Sequence, residues 1–238
     1  MTGLSSIKAL TFDVFGTTVD WCSGIAEESK DIIGAHGHVL DWVAFANRWR
    51  SEYQPAMEEV RSGRRPYVPM DQLHREMLDV ALAEFGVADL NAEEKDWLAR
   101  GWRRLPTWAD TVPGMLALKQ QHTLAALSNG NIALVTEMAK RAGIPWDVIL
   151  GADIAQTYKP MPALYDSAPR LLMLEPSEIM MVACHVWDLD HARTRGFRTG
   201  YVARPDEYGV GGKFDAPAAG TYDVQVGSFV ELGEALRA

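Results

Sequence analysis

The chain has 238 residues, with 23 lysines and arginines against 32 aspartates and glutamates, a net charge of −9. With 47% hydrophobic and 23% charged residues it is neither disordered nor fibrous, its length suits one large domain or two modest ones, and its acidity disfavours a nucleic-acid partner. Two cysteines, Cys22 and Cys184, exclude a disulfide framework or a four-cysteine zinc site. A start without a basic-then-apolar run and the lack of a ~20-residue apolar stretch predict a cytoplasmic protein with no membrane partner.

Residues 7–14 are a short apolar run that predicts a buried parallel strand. It closes at Phe15-Gly16-Thr17-Thr18, where Gly16 permits a tight turn. From Trp21 to about Pro106 helical spacing dominates: Trp42, Phe45, Ala46 and Trp49 fall at i, i+3, i+4 and i+7. Residues 70–85 and 92–105 read the same way, punctuated by Gly63-Arg64-Arg65-Pro66 and by Gly86. Beyond Asp110, helices over 113–121, 131–142, 162–173, 188–195 and 229–236 alternate with strands over 122–127, 148–150, 179–184, 198–202 and 224–226. Gly143 and Gly196 end two of the helices, and 209–220 reads as a surface loop. The pattern predicts an α/β core, residues 1–19 and 110–238, with a parallel sheet flanked by helices. A helical cap, residues 20–109, interrupts it.

Chemistry in open parallel sheets gathers beyond the carboxyl ends of the strands, which puts Asp13, Ser128 and the 184–188 turn on one rim. Asp13 can serve as a nucleophile that forms an ester, or simply cap its turn. Ser128-Asn129-Gly130 can receive an anion and equally cap the helix that follows. Lys159, before Pro160, would hold Asp13 ionised if it faced it; alone it reads as a loop lysine. Asp188 either aligns Lys159 or activates a water, or is a carboxylate at a helix start.

Together the segments run strand-Asp, Ser-Asn-Gly, Lys-Pro and strand-Asp, with the helical insert after the first. This order resembles the haloacid dehalogenase superfamily. Asp13-Val14-Phe15-Gly16-Thr17, Ser128-Asn129-Gly130, Lys159-Pro160 with Tyr165, and Trp187-Asp188 resemble its type II 2-haloacid dehalogenases, over essentially the whole chain. The resemblance implies a Rossmann-like core with a four-helix-bundle-like cap, a homodimer, no cofactor and no metal. It implies that Asp13 attacks C2 of a short 2-haloacid, expels halide, and is freed when water hydrolyses the ester. Thr17 and Lys159 would then orient Asp13, and Ser128 would bind the substrate carboxylate. Asn129 and a cap arginine would hold the halide, Phe15 and Trp187 would wall the pocket, Tyr165 would support Lys159, and Asp188 would serve the water. The arginine is assigned to Arg50 of the Trp49-Arg50 pair, with Arg48 the alternative and Arg64 or Arg65 weaker ones.

Two departures from the superfamily's patterns carry extra information. Phosphatase members of the superfamily have a second aspartate where this chain has Phe15, and phenylalanine cannot protonate a leaving alkoxide; a halide needs no proton. Many dehalogenase members have Ser and Asn where this chain has Ala183 and His185. His185 is either a partner or base for the water or a structural filling of the Asn space, and its bulk points to haloacetates, including fluoroacetate. The expected function is metal-independent dehalogenation. A magnesium-dependent phosphatase using Asp13 with Asp188, or a non-catalytic binding protein, is the alternative. The cap tryptophans and both cysteines are expected to pack rather than react.

Overall fold

The computed structural model describes residues 4–212, 214 and 216–237. Six parallel strands make the sheet: β1 (Ala9–Phe12), β2 (Thr123–Ser128), β3 (Val148–Gly151), β4 (Ile179–Ala183), β5 (Arg198–Val202) and β6 (Val224–Val226). Their order is β3-β2-β1-β4-β5-β6. Every residue of β1 and β4 is buried, as expected of central strands covered on both faces. The chain first builds outward from β1 through β2, then returns to its other side with β4. That reversal opens a crevice beyond the carboxyl ends of β1 and β4. Phe12 is in register with Ala126 and Val182, so the residues following these strands emerge side by side.

Five helices follow β1 directly: α1 (Trp21–Gly34), α2 (Trp42–Ser51), α3 (Tyr53–Arg61), α4 (Met70–Glu84) and α5 (Ala92–Ala99). Their starts carry local signals. The Asp20 and Asp41 carboxylates accept from the Ser23 and Ala44 amides, and Asn91 forms a reciprocal cap with Glu94. α1 packs on α2, α2 on α4, α4 on α5, and α5 back on α1, while α3 leans on α4. At the centre, fully buried Trp102 stacks on His74 at 4.3 Å and on Trp21 at 6.1 Å, with Trp49 edge-on. Aromatic packing of this kind holds the helices firmly. The cap tryptophans divide: Trp21, Trp49 and Trp102 are core, whereas Trp97 is half exposed.

The remaining helices are α6 (Thr111–Leu118), α7 (Ile132–Ala142), α8 (Pro162–Leu172), α9 (Val186–Thr194) and α10 (Phe229–Arg237). Several boundaries differ from the sequence reading; the first strand, read over 7–14, is Ala9–Phe12, and the helix read to 121 ends at Leu118. The helix expected over 92–105 stops at Ala99 and continues as a 3-10 turn, Arg100–Arg103, around Gly101. α6 begins at Thr111 rather than 113, because Pro113 sits in its first turn, where no N–H partner is required. α8 stops at Leu172, with Met173 left-handed as its cap. α9 starts at Val186 with His185 as its N-cap, so Asp188 lies in the first helical turn and not at the end of a strand. Residues 213 and 215 of the expected 209–220 loop lie outside the described residues. Among the described residues no helix is long and apolar enough to cross a membrane.

Polar contacts lock the inserted helices to the sheet domain above the crevice. Arg61 Nη1 donates to the Lys159 carbonyl at 2.7 Å, and Trp21 Nε1 donates to Glu207 Oε1 at 3.0 Å. Beneath them, and between segments of the α/β core itself, buried Arg204 donates to the Thr17 carbonyl and pairs with Asp110.

Candidate active site

Asp13 follows β1, and only 10% of its side chain is accessible. Its two carboxylate oxygens meet different partners. Oδ1 receives the Lys159 ammonium at 3.2 Å. Oδ2 receives the Thr17 hydroxyl at 3.0 Å and lies 3.0 Å from His185 Nδ1. Thr17 reaches back because the turn between them tightens at Gly16, whose φ is +90°.

Lys159 has no accessible side-chain surface. Its second partner is Asp188 Oδ2 at 2.6 Å, and Asp188 Oδ1 accepts the Tyr165 hydroxyl at 2.6 Å. The Tyr165 hydroxyl is thus linked to Lys159 through the Asp188 carboxylate, and Tyr165 does not line either cavity described below. Burial alone would discharge the lysine, but Asp188 and Asp13 reverse that and hold it cationic. Burial likewise raises the Asp13 carboxyl, yet Lys159, with the bonds from His185 and Thr17, drives it well below the ordinary range. Burial pushes the Asp188 carboxyl up, with Lys159 opposing and Asp13 adding to the rise.

On the other flank, His185 Nε2 lies 2.9 and 3.1 Å from the two carboxylate oxygens of Glu207. Each ring nitrogen thus faces a carboxylate, an acceptor-only group, which is satisfied by an imidazolium donating on both sides. Burial opposes that charge; the Glu207 carboxylate and the Asp13 hydrogen bond outweigh it, and the His185 pKa is raised well above 6.5. Burial raises the Glu207 carboxyl, but His185 and the Trp21 N–H bring it below its usual value. Burial pushes the Cys184 thiol up, which makes it a packing residue beside the pair. Cys22 is pushed to about 11 by burial and Asp20.

Ser128 ends β2 fully buried, and its hydroxyl accepts the Gly130 amide at 2.9 Å. Asn129 Oδ1 accepts the Lys159 amide at 2.7 Å, and its side chain also interacts with the Tyr53 phenol. Phe15 is buried against the edges of Tyr53, His74 and Trp102. The Arg50 guanidinium lies 3.6 Å above the Tyr53 ring centre, a cation–π contact, and its Nη1 is buried without a hydrogen-bond partner. A buried, unpaired cationic donor at a cavity wall invites an anion. The other arginines considered are spoken for: Arg48 by Glu52 and Glu84, Arg64 by Glu59, and Arg65 by Glu76.

A cavity of ≈330 Å³ lies at the seam, lined by Arg50, Tyr53 and Gln54 from the helices and by His185, Trp187 and Tyr208 from the sheet domain. A second, of ≈590 Å³, borders the far side of the same histidine and is lined by Cys184, Glu207 and Arg204 among others. The Trp187 indole stacks on His185, 6.0 Å between ring centres. Sequence reasoning missed Glu207, Tyr53 and Arg204. Pro55 in the first turn of α3 is a helix-start signal that would have placed Tyr53 one turn beyond Arg50; nothing local marks Glu207. Among the described residues, the donor atoms of Cys184, His185 and Glu207 lie within 4.8 Å of one another. A cation there would have to displace the hydrogen bond between His185 and Glu207.

Residues 7–193 match the family described as haloacid dehalogenase-like hydrolases. The chain is 30% identical over 211 residues to (S)-2-haloacid dehalogenase 4A of Burkholderia cepacia, covering 86% of this chain and 88% of that protein. It is 29% identical over 212 residues to (S)-2-haloacid dehalogenase 1 of Pseudomonas sp. (strain CBS-3), covering 86% and 89%. Among solved structures, the defluorinating L-2-haloacid dehalogenase Rha0230 superposes with a TM-score of 0.94 at 44% identity, covering 98% of this chain and 96% of that one. The L-2-haloacid dehalogenase PA0810 does so with a TM-score of 0.92 at 43% identity, covering 97% and 99%. With a buried aspartate–lysine pair at the sheet's reversal point and a family match spanning most of its length, the chain belongs to the haloacid dehalogenase-like hydrolases.

Proposed function

We propose that this protein hydrolyses short 2-haloacids to 2-hydroxy acids and halide through an ester on Asp13. The observation that carries this reading is a buried carboxylate, charged by Lys159 and Thr17, with an aromatic ring two residues on where a leaving alkoxide would need an acid. A poorly solvated carboxylate is a stronger nucleophile, and a departing halide needs no proton. The relatives named as (S)- and L-2-haloacid dehalogenases support the reading.

Arg50, whose unpaired Nη1 borders the seam cavity, receives the halide. Ser128 and the amides beyond β2 face the substrate carboxylate, while Phe15 and Trp187 exclude water. Asp188 fixes Lys159 and takes the proton of the attacking water. Displacement at C2 inverts the centre, so an L-2-haloacid gives a D-2-hydroxy acid. The imidazole of His185 and the small seam cavity favour two-carbon acids, fluoroacetate among them; the name of Rha0230 supports fluoride release. The protein acts without added metal.

The test is halide release from chloroacetate, fluoroacetate and L-2-chloropropionate in EDTA, beside Asp13→Asn. Single turnover in ¹⁸O-water should label the Asp13 carboxylate. Unlabelled Asp13, or halide release by the variant, overturns the ester route. Faster turnover of 2-chlorobutyrate than of chloroacetate overturns the size preference.

A further inference from the structure

We propose that Thr17 and His185 form the oxyanion site for the second half-reaction, and that Glu207 is the positioning residue that keeps His185 cationic while the Asp13 ester is hydrolysed. The inference rests on the ester reading above and assigns residues to its hydrolysis.

The argument starts from the asymmetry of the Asp13 carboxylate. Oδ2 accepts two short hydrogen bonds from opposite sides, Thr17 Oγ1 and His185 Nδ1, both at 3.0 Å. Oδ1 has the single longer contact to Lys159, at 3.2 Å. An oxygen that accepts two hydrogen bonds is the weaker nucleophile, so Oδ1 attacks C2 as the carbon–halogen bond breaks and its electron pair leaves with the halide. Oδ2 then becomes the carbonyl oxygen of the ester. When water adds to Cγ, the carbonyl electron pair moves onto Oδ2, where both donors already point. Preorganised donors at a developing oxyanion are the largest single electrostatic effect in acyl transfer.

The proton balance closes on the opposite flank. The water proton passes to Asp188. As the Cγ–Oδ1 bond breaks, Lys159, beside Oδ1, protonates the leaving oxygen and is reprotonated by Asp188, 2.6 Å away. The hydroxy acid leaves with Oδ1, and the hydroxyl that water left on Cγ gives its proton to solvent, which restores the Asp13 carboxylate with one oxygen from water and releases one proton per turnover.

Glu207 matters because of what the first step removes. In the free protein His185 sits between two carboxylates, Asp13 and Glu207. Esterification neutralises Asp13. Lys159 and Arg50 supply only positive charge around the ring, and Cys184, Tyr201 and Tyr208 are held neutral by burial. Glu207 is then the remaining carboxylate on the imidazolium, and it is itself fixed by the Trp21 N–H. Its place is built into the fold: a Cβ at Gly16 would lie 2.1 Å from Glu207 Oε1.

The experiment is rapid-quench halide release from chloroacetate, with intact-mass detection of the carboxymethylated chain, for the wild type, Glu207→Gln and His185→Asn. Glutamine keeps the shape of Glu207 and removes its charge; asparagine keeps a neutral donor toward Oδ2. Both variants should release one equivalent of halide in a burst, then turn over ~10²–10³-fold more slowly, with the carboxymethyl ester accumulating. Glu207→Asp should recover part of the turnover. A residue that merely shapes the pocket slows burst and turnover together and accumulates no ester; that pattern overturns the proposal. If the wild type shows no ¹⁸O in Asp13, the ester reading itself fails, a result distinct from the variants' burst.

Discussion

The two flanks of Asp13 differ in everything but charge. On the Lys159 side, ammonium, Asp188 and Tyr165 are sealed from solvent and every polar atom meets a partner inside the core. On the His185 side, the ring keeps 13% of its side chain accessible and with Trp187 borders two cavities, and the partner carboxylate arrives on the loop after β5. The closed flank fixes the charge of the nucleophile. The open flank is where substrate, water and product exchange, and where its residues tune which acid is turned over and how fast the ester clears.

The comparison is broken most completely at its centre. Asp13→Asn is expected to remove halide release by on the order of 10⁴-fold or more, measured with a halide-specific assay. Lys159→Met should leave two buried carboxylates facing each other and cost about 3–5 kcal/mol of stability, read from urea midpoints. On the open flank, Arg50→Lys keeps a charge but loses the planar contact with Tyr53. It should lower kcat/KM about 10-fold, the equivalent of one hydrogen bond to a charged group, with little change in Tm.

pH sharpens the contrast. His185 has a raised pKa, so its contribution to stability is fully present below about 6.5 and is lost as pH rises through the raised value. Asp13 has a lowered pKa, so its contribution is present above about 3.9 and fades as pH falls toward the folded value. Turnover should therefore decline on the alkaline side first, and His185→Asn should flatten that limb. Tyr165→Phe is the mildest change. It removes one hydrogen bond on Asp188, worth about 1 kcal/mol, and should slow turnover several-fold.

The same division describes what could be read from the sequence. Asp13 and Ser128 sit at strand ends, where the sheet rule places them on one rim, and Lys159 joined them only through the resemblance of the four segments to the family. Asp188 was found for the same reason, although its helix starts two residues earlier than its pattern suggested, because His185 takes the capping position. Arg50 followed from the resemblance, through the Trp49-Arg50 pair, and the cap's aromatic core from its periodicity. Glu207 could not be found this way. It lies in Pro205-Asp206-Glu207-Tyr208, a composition that reads as a solvated turn, and its burial arises only when that loop folds over the turn at Gly16, 191 positions earlier in the chain. Tyr53 was hidden because α2 and α3 share Glu52 as their junction, with no glycine to mark the break.

That long-range contact has an engineering consequence. Glu207 occupies the space a side chain at position 16 would take, where the backbone is also left-handed. Grafting the histidine alone into another scaffold transplants a ring without its electrostatic anchor. A faithful transfer must carry three separate pieces together: the imidazole, the acidic loop, and the bare glycine that leaves room for it.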